Sequence, residues 1–198
     1  MLGEKLVFEW SLEALLSFGC DPVVCVFPTK HLEWAGQKVR RDRVISTGGG
    51  PSRQASVAAG LEVVDASIVI VHDAARPFVT QAMLAAVTDR LSEHDGAITA
   101  LRMNETLKRA DDDLVIETVD RSNLWRSQTP QAFRTVALKQ AHSRARDESF
   151  AATDDAQLIE RCGGRIAIVP GDPANIKLTY EDDFVVAQAM IESTGAGR

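Results

Sequence analysis

The chain is poor in the residues that mark secreted, metal-storing or membrane proteins. It holds three cysteines in 198 residues. Cys20, Cys25 and Cys162 form no Cys-x-x-Cys pair and have no histidines nearby at metal-ligand spacing, so buried, reduced thiols are expected. Reduced thiols suit a cytoplasmic protein. No apolar run has the length to cross a bilayer, and the N-terminus lacks a charged region leading into a hydrophobic segment and a small-residue cleavage site, so a soluble, unsecreted chain is expected, with no membrane partner. No dense Lys/Arg run occurs either, and the formal net charge is −6, which argues against a nucleic-acid partner. Arg40, Arg41 and Arg43 are the nearest thing to a basic patch and read as solvated loop charge. A Gly-x-x-x-x-Gly-Lys-Ser/Thr loop is missing. Gly48 and Gly50 begin like a dinucleotide fingerprint, but Arg53 stands where its third glycine belongs, and that reading is rejected.

What is present fits one domain. A chain of this length with 45% hydrophobic residues has enough apolar content for a single sizeable core and too little length for two. No internal repeat, low-complexity tract or linker interrupts it, and residues 193–198 are expected to fray. Leu12, Leu15 and Leu16 share one helical face ahead of Gly19, which predicts a helix over 9–18 with a glycine stop. Residues 22–28 read as a strand bracketed by prolines, and 43–46 as a second strand running into Gly48-Gly49-Gly50. Ser52 is placed to cap a helix reaching about residue 64, and Thr80 another that contains Met83, Leu84, Val87 and Leu91. Residues 96–101 follow as a strand. This alternation predicts an α/β domain with a mostly parallel sheet wrapped by helices.

The run Ile68-Val69-Ile70-Val71, ending at His72-Asp73-Ala74-Ala75-Arg76-Pro77, reads as a strand buried on both faces whose carboxyl end carries chemistry. Ligands of open α/β sheets gather at such strand ends. Asp73 and Arg76 then either serve a metal or sugar hydroxyl and an anion, or pair with each other to close the turn. Beyond residue 101 the alternation breaks: 106–109 and 114–119 read as two polar strands joined by Asp111-Asp112-Asp113. A hairpin so short of apolar residues has little to bury in its own domain, which predicts an arm over about 104–121 that packs on a second subunit. Residues 124–128 return to the sheet, 135–146 form a helix, Thr153 caps a helix whose first turn holds Asp154 and Asp155, and 165–169 form a strand. Thr179 and Asp182 resemble a capping box for the last helix. His31, His94 and His142 lie among polar residues and carry no signal. Tyr180, Trp10, Trp34 and Trp125 are expected in the core or against a partner.

Five blocks in fixed order carry a family resemblance: Gly49-Gly50-Pro51-Ser52-Arg53-Gln54-Ala55-Ser56-Val57, the stretch 67–78, Thr118-Val119-Asp120-Arg121, Thr129-Pro130-Gln131, and Asn175-Ile176-Lys177-Leu178-Thr179. Together they resemble the 2-C-methyl-D-erythritol 4-phosphate cytidylyltransferases and, more loosely, the ribitol-5-phosphate cytidylyltransferases. The resemblance implies a Rossmann-like nucleotidyltransferase domain that dimerises through the arm and transfers a cytidylyl group from CTP to a sugar-alcohol phosphate. Gly50 and Ser56 then face the cytosine, although Pro51 replaces an acidic residue common there. Arg121 and Lys177 stabilise the reacting phosphates, and Asp73 orients a Mg²⁺ on the triphosphate. Arg76, Thr106 and Arg121 receive the acceptor, the latter two from the neighbouring subunit, with Thr129 nearby. His72 is read as structural, because a phosphate nucleophile is already an oxyanion and needs no base. The resemblance also implies that the family's first strand and glycine-rich CTP loop correspond to sequence ahead of Met1. A chain without them is expected to turn over poorly and to leave a gap in its sheet; a remnant that only dimerises or binds nucleotide weakly is the competing reading.

Overall fold

The computed structural model describes residues 1–194. Of the end expected to fray, residues 193 and 194 belong to the last helix, and 195–198 lie outside the described residues. Eight strands are found among the described residues: β1 (Val23–Phe27), β2 (Val44–Gly48), β3 (Ile68–Val71), β4 (Gly96–Arg102), β5 (Leu107–Asp111), β6 (Leu114–Val119), β7 (Trp125–Arg134) and β8 (Ile166–Pro170). The helices are α1 (Val7–Phe18), α2 (Leu32–Lys38), α3 (Arg53–Leu61), α4 (Gln81–Asp89), α5 (Thr135–Asp147), α6 (Asp155–Arg161) and α7 (Glu181–Thr194). Local chemistry sets several boundaries. The Ser52 and Thr80 hydroxyls accept the Ala55 and Met83 amides at the starts of α3 and α4, and Gly19 ends α1 at φ 96°, a conformation that favours glycine. At α6 the cap is Asp154, which accepts from the Gln157 amide, rather than Thr153. Before α7, Asp183 rather than Asp182 accepts the amides of Thr179 and Tyr180.

The main sheet has the order β3-β7-β4-β8, with β4 and β8 parallel. Strand β7 lies between β3 and β4 and is antiparallel to both. It therefore runs well past residue 128, where sequence reading ends it. Alternation along the strands divides the core. Ile98 and Phe133 point to the side covered by α5 and α6, with Leu138 and Leu158. Ala97 and Ala132 point to the other side, against Val87 of α4.

Strands β1 and β2 form a separate parallel pair. Between β1 and β3 lies an apolar cleft of about 530 Å³. One strand edge forms each side, and residues of α1 and α3, among them Leu12, Leu15, Val57 and Leu61, also line it. Among the described residues, neither the β1 edge away from β2 nor the β3 edge away from β7 has a strand neighbour. This overturns the expectation that 68–71 is buried on both faces: Ile68 remains 39% exposed because the cleft lies beside it.

Among the described residues, strands β5 and β6 pair only with each other. The hairpin is less polar than the sequence pattern suggests, since Leu114, Val115 and Ile116 are 77%, 62% and 62% exposed. Other expectations also need correction. Cys162 is exposed, and Cys20 and Cys25 are half-buried free thiols, the Cys25 thiol pushed by burial up to about 11. Of the aromatic residues expected in the core or against a partner, Trp34 and Tyr180 are exposed, while Trp10 is partly buried and donates to the Leu2 carbonyl at 3.1 Å.

Candidate active site

The carboxyl end of β3 delivers Asp73 into a turn closed by the Arg76 amide, which donates to the Asp73 carbonyl at 2.9 Å. Three cations converge on the Asp73 carboxylate. Arg53 Nε donates to Oδ1 at 3.0 Å and Lys177 Nζ to Oδ2 at 2.9 Å, while Arg76 Nε lies 3.9 Å from Oδ2. Lys177 is 104 residues away in sequence, so the fold brings together two of the motif blocks. Burial pushes the Asp73 carboxyl up, but the Lys177 hydrogen bond and the Arg53 charge outweigh it and hold the group below its ordinary range.

A buried polar lattice supports this turn. Thr129 Oγ1 accepts from the Asp73 amide at 2.9 Å, and the Thr129 carbonyl accepts from the Asn175 side chain at 2.8 Å. The Asn175 carbonyl in turn accepts from Arg76 Nη1 at 2.8 Å and from Gln128. Thr129 is thus a strut beneath Asp73, with its hydroxyl engaged by the backbone. His72 Nε2 donates to the Arg76 carbonyl at 3.0 Å, and burial pushes the imidazole down to about 4, so it is neutral at pH 7. This agrees with a structural histidine.

Gly50 and Ser56 lie side by side at the start of α3, where the Ser56 hydroxyl is within 3.4 Å of the Gly50 carbonyl and 2.9 Å of the Ser52 carbonyl. A Cβ on Gly50 would sit 2.5 Å from the Ala55 Cβ. The need for glycine is therefore already set by the helix the turn packs on. Thr106 and Arg121 stand apart from this cluster within one chain. Thr106 is exposed, and Arg121 donates to the Asn104 carbonyl at the base of the hairpin. Among the described residues, neither has a hydrogen bond or ion pair to Asp73, Arg76, Lys177 or Thr129.

Sequence reasoning missed Arg53, Asp155 and His142. Arg53 Nη1 donates to Asp155 Oδ2 at 2.7 Å, and His142 Nε2 lies 3.0 Å from Asp155 Oδ1. Asp155 and His142 are buried, so His142 is not among polar surroundings open to solvent. The nearest available signal was the acidic pair at the start of α6, which a helix-dipole reading absorbs completely.

The profile of the family described as IspD, 2-C-methyl-D-erythritol 4-phosphate cytidylyltransferase, matches residues 1–193. The chain belongs to this family. A 2-C-methyl-D-erythritol 4-phosphate cytidylyltransferase from Bacillus velezensis is 46% identical over 147 residues, covering 73% of this chain and 63% of the relative. A bifunctional enzyme IspD/IspF from Anaeromyxobacter dehalogenans is 41% identical over 214 residues, covering all of this chain and 54% of the relative. The chain thus spans less than two thirds of the length of these two curated relatives. The crystal structure of the family member from Thermus thermophilus superimposes with a TM-score of 0.87 at 32% identity, covering 97% of this chain and 91% of that one. The Rossmann-like nucleotidyltransferase fold expected from the sequence is the fold of the family.

Asp73 is the carboxylate on which a divalent cation would depend. No group of three or more His, Cys, Asp or Glu placed to hold a metal occurs among the described residues. Mg²⁺ often binds through one or two carboxylates together with substrate phosphates and water. A single carboxylate already neutralised by Lys177 and Arg53 fits a cation that arrives on a triphosphate, and does not fit a resident metal.

Proposed function

We propose that the chain transfers a cytidylyl group from CTP to 2-C-methyl-D-erythritol 4-phosphate, releasing pyrophosphate. The observation that carries this reading is the convergence of Lys177, Arg76 and Arg53 on Asp73 at the carboxyl end of β3. A phosphate oxygen of the acceptor attacks the α-phosphorus of CTP. A new P–O bond forms, and the bond from the α-phosphorus to the bridging oxygen breaks toward pyrophosphate. The nucleophile is already anionic, so the chain must align two anions and meet the charge that shifts between them. Lys177, with its side chain 45% exposed, is free to turn from Asp73 toward the phosphates. Arg76 holds the acceptor turn in place through the Asn175 carbonyl. Mg²⁺, when bound, would neutralise triphosphate charge next to Asp73. Gly50 and Ser56 border the cytosine in this reading, and Thr129 keeps Asp73 in register from below.

Thr106 and Arg121 complete the site from a second subunit, and the exposed Leu114, Val115 and Ile116 supply apolar surface for a homodimer. The compartment is the cytoplasm. No helix among the described residues is long and apolar enough to cross a membrane. No feature of the site favours ribitol-5-phosphate as acceptor.

The test is pyrophosphate release from CTP with each acceptor in turn. Release that depends on methylerythritol phosphate is expected, and release with ribitol-5-phosphate alone would overturn the assignment. Arg121→Ala should then cut turnover by on the order of a hundredfold, the scale of losing one positioned transition-state donor. Mixing it with inactive Lys177→Ala should restore part of the activity, because the mixed dimer holds one intact composite site. No recovery after verified subunit exchange would remove the second subunit from the site.

A further inference from the structure

We infer that Arg53, anchored from behind by the buried Asp155–His142 pair, is a positioning residue that fixes Asp73 so that one carboxylate oxygen, Oδ2, faces the ligand. The inference rests on the role given to Asp73 above.

The two oxygens of Asp73 are held by partners of different kinds. Oδ2 faces Lys177, a half-exposed single ammonium on a flexible stem, and the more distant Arg76. Oδ1 faces Nε of Arg53, whose Nη1 is committed to Asp155 at 2.7 Å. Asp155 is 1% exposed. A carboxylate so deeply buried is stable only while paired, and removing one partner of a buried pair is strongly destabilising. If Arg53 left Asp73 to follow an incoming phosphate, it would strand that buried carboxylate. Among the described residues, Lys177 has no such second commitment. Exchange on ligand arrival is therefore confined to Oδ2, and Oδ1 stays fixed.

The anchor spans the helical layer. Arg53 sits in the first turn of α3, Asp155 in the first turn of α6 and His142 within α5. His142 Nε2 donates to Asp155 Oδ1 at 3.0 Å and leaves Oδ2 for the guanidinium. A planar fork with two separated donors is needed to span two carboxylates in this way, which an ammonium does not provide. The packing of three helices is thereby coupled to the orientation of one carboxylate at the sheet edge.

The test is a double-mutant cycle on pyrophosphate release at saturating substrates, with thermal melts to verify folding. Arg53→Gln should lower kcat by on the order of tenfold to a hundredfold, the scale of a small misplacement of a reacting group, with a much smaller change in KM. Arg53→Lys should not rescue it. In an Asp73→Asn background the same Arg53→Gln change should cost less than about twofold, because its target is already gone. Additive losses, or unchanged kcat in both Arg53→Gln and Asp155→Asn, would overturn the inference while leaving the cytidylyltransferase reading intact. A second measurement needs no turnover. The ¹⁵N heteronuclear NOE of the Arg53 Nε–Hε group should be high in the native chain and fall in Asp155→Asn. Equal rigidity in both would overturn the anchoring, and a native chain without pyrophosphate release would count against the function alone.

Discussion

Burial favours the neutral form of both His72 and its neighbour Asp73, but only at Asp73 do nearby cations outweigh it. The carboxylate is surrounded by cations and stays charged, while burial holds the imidazole neutral despite its hydrogen bond to the Arg76 carbonyl. This gives a pH dependence with a definite sign. The His72 value of about 4 lies below its ordinary 6.5, so between those pH values the unfolded chain holds a proton that the folded chain lacks. The contribution of His72 is complete above pH 6.5 and is lost as pH falls toward 4. Asp73, held below 3.8, loses its contribution only at more acidic pH. In metal-free protein, the difference in unfolding free energy between the native chain and His72→Gln should change across pH 6.5 to 4, approaching the one-proton slope of about 1.4 kcal/mol per pH unit. Parallel stability curves from denaturant titrations would show that His72 does not titrate between the two states. The side chains around this pair were legible to different degrees. Asp73, Arg76, Thr129 and Lys177 lie in short motif blocks, and the family resemblance reaches them. Arg53 lies in such a block as well, but its partner Asp155 is 102 residues away and outside every block, so nothing local assigns Arg53 its role.

Elements defined by nearest-neighbour chemistry were legible, and those defined by distant pairing were not. Ser52, Thr80 and Gly19 each satisfy or terminate backbone groups within a few residues, so their roles could be read from spacing alone. Strand β7 gives no such signal. Its segment Trp-Arg-Ser-Gln-Thr-Pro-Gln-Ala-Phe-Arg mixes polar residues and a proline, and Gln128, Thr129 and Gln131 are buried in the lattice beneath the site rather than by apolar packing. Helix α2 is short and contains Gly36, and it too escaped notice. The β5–β6 hairpin is legible from turn chemistry, yet the apolar run of Leu114, Val115 and Ile116, whose side chains alternate between its two faces, is masked by the surrounding charges. That run makes the hairpin's role testable. Deleting 107–119 and closing the chain with a short turn should convert a dimer to a monomer by light scattering while leaving the melting temperature of the main sheet nearly unchanged. A dimer that persists would place the interface elsewhere.

At the level of the molecule, the controlling feature is the cleft between β1 and β3. Two strand edges face each other across apolar walls formed by α1 and α3. Open edges leave backbone donors and acceptors without strand partners, and the apolar residues along them stay wet, which costs stability and invites association. Both strands end at the site: Phe27 is followed across the pair by Gly48 to Gly50, and Val71 by Asp73. Whatever occupies the cleft therefore also sets the distance between the Gly50–Ser56 corner and Asp73. An extended segment with consecutive apolar residues matches the space, because helices cover both faces as in a parallel sheet interior. At about 3.3 Å per residue, four or five residues would run the length of β3 or β1. Joining to Met1 an apolar strand followed by a glycine-rich loop that carries two cationic side chains should raise the melting temperature and increase pyrophosphate release from CTP and methylerythritol phosphate. The stability gain should persist when the two loop cations are changed to alanine, since it comes from the strand, whereas the gain in turnover should be lost, since it comes from gripping the triphosphate. Equal melting temperatures with and without the strand would show that the cleft is not a strand site. Equal turnover would show that Lys177, Arg121 and Mg²⁺ suffice to hold the triphosphate.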